Sequence, residues 1–299
     1  MKALLINPGH DGSHFKHESH RRVHRDPPPM SIMSVGSFFY RSGAEIDILD
    51  THVEEDWKRK LEELLRRNKY NWVGITVLIG KFMANADEIT KLIRQLSPKT
   101  TVVWGGVMCS VMPEEIKRVY QPDVVWSGGV RDQPIIHWPL LGDKFNESQI
   151  PYYHMVMSSV GCPYNCTFCY KHSISEGGGL RYRSVEDICQ EMDTMNMLTG
   201  TRVFTFGDDN FLTGRVRSIK ILEYCKAHGY YIEECIGHIN NLTDDLIQAM
   251  KGTVQTFIFS IETVSGKLQT LLNKSIQLGT VADKLVKLRN AGKIGRAHV

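Results

Sequence analysis

Short, nearly continuous apolar runs alternate with amphipathic stretches along this chain, and that alternation constrains its fold more than any other feature. In the first half the runs cover residues 3–6, 46–49, 72–78, 101–104 and 124–126. They are rich in β-branched residues and show no polar–apolar alternation, as expected of strands covered on both faces. Helical patterns lie between them, at 30–41, 54–68, 85–95 and 113–120. In the second of these, Trp57, Leu61, Leu64 and Leu65 share one face. Pro113 followed by Glu114 and Glu115 suits a helix start. This order of elements predicts a parallel sheet with helices on both faces.

Such sheets take ligands beyond the carboxyl ends of their strands. The loops expected there are Asn7-Pro8-Gly9-His10-Asp11-Gly12, Gly105-Gly106-Val107 and Ser127-Gly128-Gly129. Glycine permits a tight turn, and it also permits close backbone approach to a flat or phosphorylated ligand. Three such loops at one edge favour a ligand face. No G-x-G-x-x-G follows the first strand, which argues against a nicotinamide or flavin site.

From about residue 153 the strand–helix pattern resumes. Strands are expected at 154–159, 202–206, 230–236 and 254–261. Helices are expected at 185–197, 214–227, 244–250, 267–272 and 281–290. Repeated βα units suggest a barrel or part of one, with chemistry at the carboxyl ends of its strands. A length of 299 residues agrees with two domains. Their expected limits are 1–135 and 153–293, joined by a turn-rich linker at 136–152.

Charge and hydropathy exclude several classes. Lys+Arg 36 against Asp+Glu 33 leaves a net charge of +3, no electrostatic case for nucleic acid or an anionic membrane. No apolar run approaches the roughly 20 residues of a membrane span. Residues 1–8 are broken too early by Pro8 to be a signal peptide and read as a first strand, so a cytoplasmic location is expected.

Seven cysteines, an odd number, do not suit a disulfide framework in a chain of this length. Three of them, Cys162, Cys166 and Cys169, fall within eight residues as C-x-x-x-C-x-x-C. Three thiolates on one tight loop can each bind an iron of a [4Fe–4S] cube and leave the fourth iron open. That iron can chelate the amino and carboxylate groups of S-adenosylmethionine (SAM). A structural zinc site normally takes four ligands in two spaced pairs, and His172 stands very close to Cys169 for a fourth. Cys109, Cys189, Cys225 and Cys235 are scattered and read as small core residues. Residues 10–26 hold five histidines and three arginines. They read as a solvated cationic loop, a metal site, or a lid over an acidic group.

Several stretches resemble the cobalamin-dependent radical SAM enzymes. Asp26-Pro27-Pro28-Pro29-Met30, the segment 43–50, Val102-Val103-Trp104-Gly105-Gly106 and Pro113-Glu114-Glu115 resemble their N-terminal cobalamin-binding domain, which is Rossmann-like (flavodoxin-like). The cysteine loop, with Phe168 before its last cysteine, resembles their cluster motif. Gly207-Asp208-Asp209-Asn210-Phe211 resembles the family's Asp-Asp-Asn-Phe form of the motif that receives the SAM amino group, though two carboxylates there could instead cap a helix. Ser260-Ile261-Glu262-Thr263-Val264-Ser265 resembles the stretch that places a glutamate near the SAM ribose and carboxylate, and Asn273-Lys274 matches the family's Asn-Lys. Two departures stand out. Ser127-Gly128-Gly129-Val130 replaces Gly-Glu-Gly-Glu, and Gly237-His238 stands where relatives often place arginine.

The resemblance implies a fold of one flavodoxin-like parallel domain followed by a partial (β/α) barrel. It implies a cluster on Cys162, Cys166 and Cys169, and SAM at Asp208 or Asp209, Glu262, Phe168 and Tyr170. Cobalamin falls to Pro8, Gly9, His10, Gly105, Gly106, Ser127, Gly128 and Gly129, with no histidine as lower cobalt ligand. The implied chemistry is reductive cleavage of SAM to methionine and a 5′-deoxyadenosyl radical, and methyl transfer from cobalamin to an unactivated carbon. A radical cyclase or oxidase of the porphyrin-ring type is an alternative, as is a sensing module without turnover. The implied partners are a small-molecule or cofactor-precursor substrate and an electron donor such as flavodoxin or ferredoxin. Relatives continue past residue 293 with further barrel strands. The last six residues, Ile294-Gly295-Arg296-Ala297-His298-Val299, match a reading frame of a common sequencing adapter and are read as an artefact on a truncated gene; an authentic stop codon after Val299 would defeat that reading.

Overall fold

In the computed structural model the chain divides between Tyr152 and Tyr153 into two units. The structure describes residues 1–9, 28–54, 56–128, 136–145, 154–171, 179–292 and 294–298. The histidine-rich loop from His10 onward, Gly129 and His172 lie outside the described residues.

The first unit runs β1 (Lys2–Asn7), α1 (Met30–Arg41), β2 (Glu45–Asp50), α2 (Trp57–Arg67), β3 (Trp72–Thr76), α3 (Lys81–Leu96), β4 (Thr101–Gly105), α4 (Val107–Val111), α5 (Pro113–Tyr120) and β5 (Val124–Val125). The strand order is β2-β1-β3-β4-β5, and every pairing is parallel. This is the flavodoxin-like winding, with its switch point between β1 and β3. Ala3, Leu4, Leu5 and Ile6 of β1 are all 2% exposed or less, which is why that run shows no alternation. α2 turns Leu61 and Leu65 into the core, and α3 adds Ala86, Ile89 and Ile93 at helical spacing. The helix edges differ from expectation. α3 begins four residues early, after Gly80 with its positive φ of 80°, and the five-residue α4 is too short to carry a legible period.

Trp104 is fully buried at the end of β4. Its indole N–H donates to Thr90 Oγ1 at 2.9 Å, and its ring packs on Tyr120 with centroids 5.0 Å apart. A buried indole keeps its hydration energy only through such a partner.

The second unit runs β6 (Met155–Val156), β7 (Ser159–Val160), β8 (Arg181–Tyr182), α6 (Val185–Thr199), β9 (Val203–Phe206), α7 (Arg215–His228), β10 (Tyr231–Ile236), α8 (Asp244–Met250), β11 (Val254–Ser260), α9 (Gly266–Leu271), α10 (Leu278–Asn290) and β12 (Ile294–His298). Five strands form a parallel sheet in the order β12-β11-β10-β9-β6, part of a barrel wall. The single strand expected over 154–159 is two. Ser158 gives its backbone N–H and its hydroxyl to Asp208, at 3.0 and 2.7 Å, so the ladder stops at Val156. β7 then pairs antiparallel with β8. Residues 294–298, read from sequence as foreign to the fold, pair in parallel with β11.

α6 shows local rules at work. Ser184 caps it by accepting from the Asp187 N–H at 3.0 Å, acidic residues fill its first turn, and Gly200 closes it in the left-handed region. Cys109, Cys189, Cys225 and Cys235 are buried, and burial pushes the Cys189 thiol up to about 11 and Cys225 to about 12. They pack as small apolar side chains. Among the described residues no helix is long and apolar enough to cross a membrane.

Trp104→Ala is expected to lower stability by roughly 3–5 kcal/mol, and Thr90→Val by about 1–3 because the indole N–H loses its acceptor. Urea denaturation of the full chain, followed by far-UV circular dichroism, checks both.

Candidate functional site

The parallel strands of the second unit end together, and their carboxyl ends carry its polar residues. The cysteine loop runs out of β7. It is fastened from three sides. Gly161 N–H donates to Asp209 Oδ2 at 3.2 Å, beyond β9. The Thr167 N–H donates to the Leu272 carbonyl at 3.0 Å, and the Asn273 amide donates to the Asn165 carbonyl at 2.9 Å, both beyond β11. The Tyr164 hydroxyl donates to Asn241 Oδ1 at 3.1 Å, beyond β10. The Tyr164 ring stacks on His238, centroids 3.8 Å apart and planes 11° off parallel. Within the loop, the Cys169 N–H donates to the Cys166 carbonyl at 3.0 Å.

Cys162 and Cys166 both respond to the thiols around them. Burial pushes Cys162 and Cys166 above the ordinary thiol value, and the neighbouring thiol charges add to that. Opposing groups are built in. The Tyr164 N–H and the Asn210 amide pull Cys162 back down, and the Lys274 ammonium does so for Cys166. Among the described residues no three His, Cys, Asp or Glu side chains close around one point as a single metal ion needs. A [4Fe–4S] cube asks something different, one thiolate for each of three irons. Three soft donors on one loop, with amide and ammonium groups facing them, fit that group and leave one iron without a protein ligand.

Sequence treated Asp208 and Asp209 as interchangeable candidates, and the structure separates them. Asp208 is fully buried and accepts from the Ser158 N–H, the Ser158 hydroxyl and, at 2.5 Å, the Ser159 hydroxyl. Burial raises its carboxyl above the ordinary range against those hydrogen bonds and the Arg217 charge. Arg217 also bonds the Ser158 carbonyl and, at 3.3 Å, its hydroxyl. Asp209 is partly exposed and pairs with Lys171, whose ammonium lies 5.0 Å from the Tyr170 ring centre.

At the end of β11, Glu262 takes a left-handed backbone, φ 64°, rare for a non-glycine residue. Its carboxylate meets the Lys274 ammonium at 3.0 Å and the Ser260 hydroxyl. Asn273 and Ser275 share the left-handed region, at φ 50° and 55°. Backbone strain of this kind gathers where surrounding structure over-determines it, functional sites included. Lys274 lies 5.6 Å over the Phe168 ring, which is half exposed, as is Tyr170. Spacing gave no signal for Asn241, Arg217, Ser158 or Ser159. Their roles come from contacts 31 to 59 residues apart in sequence.

In the first unit the described parts of the three expected loops, Pro8 and Gly9, Gly105 to Val107, and Ser127 and Gly128, follow the carboxyl ends of β1, β4 and β5. Pro8 and Gly9 are buried. The Gly9 N–H donates to Thr51 Oγ1 at 2.6 Å, and a Cβ at Gly9 would stand 2.1 Å from the His52 Cα. Gly106, at φ 95°, would put a Cβ 2.8 Å from Thr76 Oγ1. These two glycines are therefore required by the chain's own packing. The Gly128 N–H donates to Ser110 Oγ at 2.9 Å, and Ser127 is exposed. Beyond β3, Leu78 and Ile79 are 40% and 76% exposed, an apolar face at the same edge.

Asp208→Ala is expected to destabilise the protein by roughly 3–5 kcal/mol, since it leaves the Ser158 N–H and two serine hydroxyls buried without their acceptor and removes the charge that faces Arg217. Asp209→Ala, at a partly exposed ion pair, should change stability by no more than about 1 kcal/mol. Thermal unfolding of the two variants separates the clamp from the site residue.

Residues 21–129 match the B12 binding domain family, and residues 156–298 match the Radical SAM superfamily. An uncharacterized methyltransferase of Pyrococcus horikoshii is 24% identical over 342 residues, covering 99% of this chain and 72% of that protein. One from Synechocystis is 21% identical and covers 74% of this chain and 44% of its own length. Among solved structures, the radical SAM methyltransferase TsrM of Kitasatospora setae, with cobalamin and a [4Fe–4S] cluster bound, superposes with a TM-score of 0.77 at 14% identity. That match covers 99% of this chain and 68% of TsrM. The cobalamin-dependent SAM radical enzyme OxsB matches with a TM-score of 0.78 at 16% identity, over 99% of this chain and 48% of OxsB. These likenesses carry the fold: a flavodoxin-like unit ahead of a partial barrel. The chain thus carries a B12-binding domain followed by a Radical SAM domain, the order its two matches give.

Proposed function

We propose that the chain acts as a cobalamin-dependent radical SAM methyltransferase, with a small molecule or cofactor precursor as methyl acceptor. The observation that carries this reading is the cysteine loop: three thiols on one tight turn, with the carboxylates of Asp209 and Glu262 beyond the ends of β9 and β11. When bound, a reduced [4Fe–4S] cluster supplies the electron that cleaves SAM, and cobalamin supplies the methyl group.

The chain's own part is positioning and exclusion of water. Cys162, Cys166 and Cys169 hold the cluster. Asp209 and Glu262 accept the cationic amino group and ribose hydroxyls of SAM; each already faces an ammonium, from Lys171 and Lys274, that balances its charge. Phe168 and Tyr170 shield the open side of the loop with half-exposed rings. In the first unit, the edge at Pro8, Gly9, His10, Gly105, Gly106, Ser127, Gly128 and Gly129 takes cobalamin. The exposed Ser127 would meet its polar side chains, and Leu78 and Ile79 its apolar surface. A flavodoxin or ferredoxin is the fitting electron donor. All seven cysteines are free thiols, which suits a reducing cytoplasm.

Anaerobic reconstitution tests the reading. About four irons per chain are expected, and 5′-deoxyadenosine should form from SAM and dithionite above a triple Cys→Ala control. Added cobalamin should be retained, with its absorbance bands, through gel filtration. Iron-free protein, or no 5′-deoxyadenosine above the control, defeats it. Glu262→Gln should weaken SAM binding about tenfold, roughly 1.4 kcal/mol, at unchanged iron content. Equilibrium dialysis with labelled SAM measures that.

A further inference from the structure

Asn210 is 1% exposed, yet its side chain is neither a core group nor a helix cap. Its Nδ2 stands 3.9 Å from Cys162 Sγ and 3.1 Å from Asn241 Oδ1. Its Oδ1 accepts the backbone N–H of His238 at 3.1 Å. A backbone N–H can only donate, so the amide has one allowed orientation, with its own N–H groups toward the sulfur and Asn241. The main chain of Asn210 is fixed as well, because its carbonyl accepts the Thr213 N–H at 3.2 Å and the Thr213 hydroxyl at 2.8 Å.

A second layer holds this arrangement. Asn241 Oδ1 takes one hydrogen bond from Asn210 and another from the Tyr164 hydroxyl. Tyr164 lies between Cys162 and Cys166, and its ring is sandwiched on His238. The His238 ring is pinned in turn, Nε2 against the Lys274 carbonyl at 3.1 Å and Nδ1 accepting the Asn240 N–H at 3.3 Å. That pair of partners selects the neutral tautomer with its proton on Nε2. The strand-end residue His238, at the place where relatives often carry arginine, thus works on the cysteine loop through its backbone N–H and its flat face.

We infer that Asn210 is a positioning residue that raises the reduction potential of the cluster by aiming its amide N–H at the Cys162 sulfur. The inference rests on the cluster assignment above. One-electron reduction places added negative charge partly on the cysteine sulfurs. A donor aimed at one of them stabilises the reduced form more than the oxidised form, and hydrogen bonds to the sulfurs are among the groups that set such potentials. The donor is buried, so water does not screen it.

The test is an EPR-monitored redox titration of reconstituted full-length protein without SAM. Asn210→Leu keeps the volume and removes the donor. Its midpoint should fall, with the equilibrium constant for reduction dropping about tenfold, 59 mV for one electron, at unchanged iron content. Tyr164→Phe keeps the stacked ring and removes the second donor to Asn241. Asn241 then draws the Asn210 amide away from the sulfur, and the midpoint should fall by less. Equal midpoints in wild type and Asn210→Leu, at equal iron content, overturn the inference. If Asn210→Leu assembles no cluster, Tyr164→Phe decides by the same criterion. Iron-free wild type overturns the cluster assignment itself, a different result from a cluster whose potential ignores Asn210.

Discussion

Three thiols within eight residues repel one another once they ionise, and the carboxyl-end architecture of the second unit answers that repulsion. Burial alone makes matters worse, because it raises the Cys162 and Cys166 thiols further. The compensation comes from groups that cannot be assembled on a short loop. An amide arrives from beyond β9 and an ammonium from beyond β11, while from beyond β10 a stacked imidazole holds the Tyr164 ring of the loop. Parallel strands are what make this possible, since all their carboxyl ends, and hence all three contributions, stand on one edge. Lys274 serves twice. It faces Cys166 and it holds the Glu262 carboxylate, so the cysteine loop and the strained end of β11 share one cation.

The first unit meets a different demand with the same geometry. Its edge loops are folded by their own contacts before any ligand arrives, Gly9 against His52 and Gly106 against Thr76. Preformed loops lose less conformational entropy on binding than loops that order around a ligand. The same packing changes what the glycines mean. They are needed where they stand for the chain's sake, and the surface a ligand meets is made by their neighbours, by Ser127 and by the exposed Leu78 and Ile79.

Most of the fold was legible in the sequence. Doubly covered parallel strands read as continuous apolar runs, and helices such as α1, α5 and α8 have the limits their periodicity predicts. The three-cysteine loop was legible because its spacing is local. Contacts were not. The break after β6 depends on Ser158 meeting a carboxylate 50 residues away, and no window of neighbouring residues contains that information. The orientation of Asn210 depends on a backbone N–H 28 residues on, and the role of Tyr164 depends on a ring 74 positions later. The pairing of residues 294–298 with β11 is likewise a contact that no local pattern announces.

The pair Asp208 and Asp209 shows how one structural rule resolves what composition leaves open. Side chains on an extended segment alternate between two sides. Past the end of β9 that alternation persists, with Phe206, Asp208 and Asn210 buried and Gly207 and Asp209 less so. One side of the segment therefore faces inward, where Asp208 holds Ser158, which Arg217 of α7 bonds as well, and Asn210 reaches Cys162. The other side faces the open edge, where Asp209 meets Lys171. Two adjacent acids thus differ in solvation by position alone. A carboxylate whose acceptor positions are committed to serines inside the protein has little left to offer a cationic ligand. The partly exposed neighbour can exchange its ammonium partner for a cationic ligand with little desolvation, which is what the proposed SAM site asks of it. The same segment fixes the inner network and presents the outer acid, so a shift of register by one residue would exchange the two roles and undo both.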